Sequence, residues 1–133
     1  MREFPQYPGI MADWPRVEAM PGAKEALDVL KDRYRIVVAT NAANSDADQV
    51  RLALARAGLS ESISSIFTPR QLGVRALESV LGVSPDRIVM VGDDYLADAF
   101  GPHRAGWHAI CGTTLPSNPA LVCCPCMMMR FMI

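Results

Sequence analysis

The sequence lacks any run of like charge: 13 Lys and Arg stand against 14 Asp and Glu, for a net charge of -1. That removes the basic stripe of a nucleic-acid binder and the polybasic cluster of a membrane-surface protein, so neither nucleic acid nor membrane is an expected partner. No apolar stretch reaches the roughly 18 to 20 residues that a spanning helix needs, and the opening MREFPQYPG lacks the charged-then-apolar order of a signal peptide. The expected location is the cytoplasm. Cysteine is sparse, with Cys111, Cys123, Cys124 and Cys126 the only four. Adjacent cysteines bridge each other only with strain, and a reducing compartment keeps them as thiols. Thiolates beside the MMM run would suit Cu(I), but the spacing is not the paired C-x-x-C of a zinc site and no histidine accompanies it. With 133 residues, the chain suits one domain with one core.

What is present alternates between helical and extended patterns. MPGAKEALDVLKDRY sets Ala23, Ala26, Leu27 and Leu30 on one helical face, and RIVVAT follows as a β-branched run. NSDADQVRLALARAG opens with Ser45 as the expected N-cap and Asp48 three residues on. It carries Val50, Ala53, Leu54 and Ala57 on one stripe and stops at Gly58. SISSIFT is a weaker strand, VRALESVLG a short helix with Leu77, Val80 and Leu81 inward, RIVMVG a second clear strand and WHAI a last one. Between the last two, Gly101 and Pro102 are expected to end or kink a helix. This order implies an α/β fold, a Rossmann-like three-layer sandwich with a mainly parallel sheet. After Gly112 no periodicity remains. The residues beyond about Ser117 are expected to be poorly ordered and to contribute little to stability, because nothing there offsets the entropy of ordering them.

Open α/β sheets bind ligands at the carboxyl ends of their strands. The first clear strand ends in Thr40 and Asn41; the second ends in Gly92 and runs on into Asp93, Asp94 and, four residues later, Asp98. Singly, each group has a plain reading: Thr40 and Asn41 satisfy a turn, and Asp93 and Asp94 cap a helix. Together they set a hydroxyl, an amide and several carboxylates at one crevice, where like charges need a cation or hydrogen-bond donors to hold them.

IVVATNA, followed some fifty residues later by IVMVGDDYLADAFGPHRAGWHAI, resembles the second and fourth motifs of the haloacid dehalogenase-like (HAD) hydrolases, mostly Mg2+-dependent phosphatases. The resemblance covers roughly residues 20 to 111. It implies that Thr40 binds a phosphoryl oxygen with Asn41 shaping the same pocket. It further implies that Asp93 helps to hold Mg2+, that Asp94 shares that task, and that Asp98 braces the loop. A small phosphorylated metabolite is the implied substrate.

Two parts of the family pattern are missing. The D-x-D-x-[TV] motif, whose first aspartate attacks phosphorus, does not occur; Asp13, followed by Trp14 and Pro15, reads as a solvated loop acid. The family's lysine between the third and fourth strands is absent too, since no lysine follows Lys31, leaving Arg70 or Arg75 as the nearest sources of charge. The family places its first strand centrally, so the remaining strands are expected to pair across the gap or leave open edges. The expected organisation is an N-terminal segment over 1–20 as a remnant of a cap or linker, a truncated HAD-like core over 21–112, and a non-family tail over 113–133. The implied function is a phosphatase-type hydrolase domain that is inactive as this isolated chain. A non-catalytic binding or assembly module is the alternative, and a receiver-like signalling domain fits less well, because receivers carry their acid pair early in the chain. Open edges and an apolar tail also make self-association an expectation.

Overall fold

The computed structural model describes residues 9–40, 44–68, 74–92, 99–111 and 130–132. Helix α1 (Ala23–Leu30) starts after Gly22, whose φ of 81° is the left-handed conformation that glycine adopts without strain. Leu27 is buried and Leu30 partly so, whereas Ala26 faces solvent. Helix α2 (Ala47–Arg56) buries Val50, Ala53 and Leu54. Its cap is Asp46 rather than Ser45. The Asp46 carboxylate accepts from the Gln49 N–H at 2.8 Å, and the Gln49 side chain accepts from the Asp46 N–H at 2.9 Å, a reciprocal capping box. Ser45, one residue too early to cap, is buried and accepts instead from the Met11 N–H at 2.9 Å.

Helix α3 (Val74–Leu81) buries Leu77 and Leu81, but Val80 is 56% exposed. The buried stripe is narrow, and Val80 lies about 100° round the helix from Leu81. Helix α4 (Gly101–Arg104) follows directly on Ala99 and Phe100, which are π-helical, so the helix changes type at the point where Gly101 and Pro102 are expected to end or kink it. Pro102 sits in the first turn of α4 and is buried. Among the described residues no helix is long and apolar enough to cross a membrane.

The strands are β1 (Val37–Ala39), β2 (Ser65–Phe67), β3 (Val89–Gly92), β4 (His108–Cys111) and β5 (Arg130–Met132), in the order β2-β1-β5-β3-β4. β1 pairs with β2 in parallel, and β3 with β4 likewise. The two halves neither pair directly nor leave open edges between them. β5, from the segment whose sequence pattern suggests no element, stands in the gap and runs antiparallel to both neighbours. Its register places Phe131 opposite Val38 and Val91, Met132 opposite Val37 and Met90, and Arg130 opposite Ala39.

The alternation within β1 shows why the sheet is buried on both faces. Ile36 and Val38 join one cluster with Leu27, Val50, Leu54 and Ile66, under α1 and α2. Val37 and Ala39 join the opposite cluster with Leu77, Leu81, Met90 and Trp107, under α3. The N-terminal segment belongs to the first face: Met11, Trp14 and Val17 are buried there, and the Arg56 guanidinium donates to the carbonyls of Ala12 and Trp14 at 2.9 and 2.7 Å. On the second face Trp107, 2% exposed, donates its indole N–H to Glu78 at 2.6 Å, locking the start of β4 to α3. The result is a three-layer α/β sandwich whose sheet is parallel except for its central strand.

Candidate functional site at the carboxyl edge of the sheet

Because β5 is antiparallel to both β1 and β3, those two strands point the same way and end at one edge of the sheet. Thr40 follows β1 there. It is buried, at 4% exposure, and its N–H donates to the Phe67 carbonyl at 3.0 Å, so the ladder with β2 continues one step past the strand. The same step brings Thr68, also buried, to the end of β2. Two adjacent parallel strands thus end in buried threonines. Thr68 was not singled out from the sequence, although the two strands share one ending, VVAT and SIFT, which is the available signal.

β3 reaches the same edge and ends at Gly92. Of the other predicted site residues, Asn41, Asp93, Asp94 and Asp98 lie outside the described residues, as does Arg70. Arg75 stands in the first turn of α3, which follows the outer strand β2. Asp13 is exposed at the end of the short turn Met11–Asp13. Among the described residues no three Asp, Glu, His or Cys side chains come together as a metal site. The central strand contributes Arg130, Phe131 and Met132, and so brings no carboxylate between Thr40 and Gly92.

Electrostatic perturbation lies elsewhere on the surface. Asp28 on α1 accepts from Lys24 at 2.7 Å, from Lys31 at 3.0 Å and from the Ser62 hydroxyl at 3.0 Å. These bonds, that from Lys24 foremost, hold its carboxyl well below the ordinary carboxylate range. A cavity of about 480 Å³ opens at the opposite, amino edge of the sheet, where Arg33, Arg35, Arg87 and Tyr34 surround a floor that includes Val37 and Ile88. Arg35 is held there by donating to the Leu81 carbonyl at 2.9 Å.

A crystal structure of an uncharacterized protein from Listeria monocytogenes serotype 4b is similar in fold: the match covers 87% of this chain and 75% of that one, with a TM-score of 0.65 and 21% identity. No curated protein gives a significant match. The sequence profile of the haloacid dehalogenase-like hydrolases matches residues 2–106, which takes in the N-terminal segment, β1, β2 and β3 up to the turn before β4, and Thr40 with its edge. A three-layer sheet with this strand direction, matched over most of its length by that profile, places the chain among the haloacid dehalogenase-like hydrolases.

Proposed function

We infer that the chain carries the phosphate-holding half of a phosphatase-type site and lacks the group that attacks phosphorus. One observation supports this most directly: the strand lying between Thr40 and Gly92 reads Arg-Phe-Met, and none of these side chains is a nucleophile for phosphoryl transfer. Thr40, buried at the end of β1, has the hydroxyl to donate to a phosphoryl oxygen, and Asn41 follows it in sequence.

The donor chemistry around β3 fits Mg2+. Gly92 ends that strand at the same edge as Thr40, and the next two residues are Asp93 and Asp94, oxygen donors of the kind a hard divalent cation selects. Those two would hold the ion, with Asp98 bracing the loop, and the ion would supply positive charge against a bound phosphate. The substrate class is a small phosphorylated metabolite.

A second reading is a non-catalytic module that retains the fold for binding or assembly. It is favoured by β5 itself, which completes the sheet without any acidic strand. Self-association belongs to this reading, since β2 and β4 form the outer edges and Ile110 on β4 is 57% exposed. Assay of the chain with p-nitrophenyl phosphate and Mg2+ near neutral pH separates the two lineages from an active enzyme. No turnover above background is expected. A rate within about tenfold of the ~10 per second typical of enzymes, lost in Thr40→Val, would refute the inference that nothing attacks phosphorus.

A further inference from the structure

The cavity at the amino edge of the sheet takes no part in the carboxyl-edge site. It lies where two segments enter the sheet: residues 33–35 lead from α1 into β1, and the turn Pro85–Arg87 leads from α3 into β3. The Arg35 bond to the Leu81 carbonyl ties the two segments together. Between them the floor is core surface, since Val37, Leu81 and Ile88 are buried members of the cluster on the α3 face. Tyr34 and Val83 also line the cavity, and both are exposed. Apolar side chains left to solvent over an apolar floor offer a hydrophobic body a place to bury its surface.

The charge around this floor is one-sided. Three guanidiniums, those of Arg33, Arg35 and Arg87, stand against one carboxylate, Asp86. Asp86 is already answered, because hydrogen bonding from Ser84 foremost holds its carboxyl below the ordinary range. Arg35 donates to a neutral carbonyl, which leaves its charge in place. Among the described residues Arg33 and Arg87 have no carboxylate within ion-pair distance. Solvated loop arginines would account for the charges but not for the apolar floor beneath them.

We propose that this cavity binds an aromatic carboxylate, with Arg33 and Arg87 at the carboxylate and the ring over Val37, Leu81 and Ile88. Its volume of about 480 Å³ falls within the roughly 300 to 1,000 Å³ usual for small-molecule sites. Arginine suits both halves of such a ligand: its planar fork pairs with a carboxylate through two parallel hydrogen bonds, and its flat face stacks on rings. Tyr34 adds an aromatic neighbour. Inorganic phosphate would answer the charge and leave the floor wet. A neutral arene would cover the floor and leave the guanidiniums unanswered. The proposal stands whether or not Thr40 holds phosphate at the other edge.

The full chain is titrated with naphthoate, followed by ligand fluorescence and by amide NMR, with naphthamide and inorganic phosphate as comparison ligands. Saturable binding is expected, with the largest amide shifts at residues 33–37 and 81–89. Naphthamide, which keeps the ring and loses the charge, should bind about tenfold more weakly, and phosphate at least as weakly. Replacing both arginines, Arg33→Gln with Arg87→Gln, should weaken naphthoate about tenfold or more. Val83→Asp, which adds a carboxylate beside the floor, should weaken it as well. Equal affinity for naphthoate and naphthamide overturns the proposal, as does unaltered binding in the double variant. Amide shifts centred elsewhere, or no saturation by about 1 mM, overturn it too. If the double variant melts early, the comparison of naphthoate with naphthamide on the parent chain still decides the matter.

Discussion

Deleting residues 130–133 removes the one strand that joins the two halves of the sheet. β5 forms three residue pairs with β1 and two with β3. Backbone hydrogen bonds contribute about 0.5 to 1.5 kcal/mol each in net terms, while ordering three residues costs about 1 to 2 kcal/mol apiece. On those two terms the strand nearly balances. The deciding term is what it leaves behind. Val37, Val38 and Met90 are at most 1% exposed, and backbone groups that lose partners in such surroundings cost about 1 to 3 kcal/mol each where water does not reach them. A net loss of about 2 to 4 kcal/mol is therefore expected, or a fall in melting temperature of roughly 8 to 16 °C for a domain of this size. Thermal denaturation followed by circular dichroism measures the shift, and hydrogen exchange should show lost protection at Val37–Ala39 and Val89–Gly92. A fall of less than about 3 °C with protection unchanged would refute the reasoning, because the slot would then be closed by something other than β5.

Two further outcomes follow from the surface of the first layer. Asp46→Ala removes the capping box of α2 and should cost about 1 kcal/mol in chemical denaturation, whereas Ser45→Ala should act through the lost Met11 contact and leave the helix cap intact. Asp28→Asn should lower the melting temperature at neutral pH, by a deficit that shrinks steadily as the pH falls below about 4. The folded carboxyl titrates below its ordinary value, so its stabilisation is complete above about pH 4 and vanishes as the pH falls through the folded-state value. A deficit that persists unchanged at low pH would show that the ion pairs with Lys24 and Lys31 are not its source.

The parallel pairs were legible because their strands are continuous β-branched runs flanked by amphipathic helices, and Thr40 was legible because it closes one of those runs. The errors were local. Ser45 and Asp46 are both good caps, and only the Gln49 side chain three residues after Asp46 decides between them. β5 was beyond periodicity altogether. Three residues cannot display an alternation, and their place depends on an unfilled gap between strands that lie far away in sequence. Thr68 was overlooked because its strand is short and polar at its start, although its ending repeats that of β1.

The central position of β5 also governs how the chain reaches its fold. Val37 must find Met132 across roughly ninety residues, a closure whose entropic cost in a flexible chain is about 4 kcal/mol. The local units, α1 with β1 or α2 with β2, can form early. The sheet cannot close until that distant segment arrives. Folding should therefore be slow for a domain of this length, and in the interval β1 and β3 both present unpaired hydrophobic edges to solvent. The hazard of aggregation thus sits in the waiting time and grows with protein concentration during refolding.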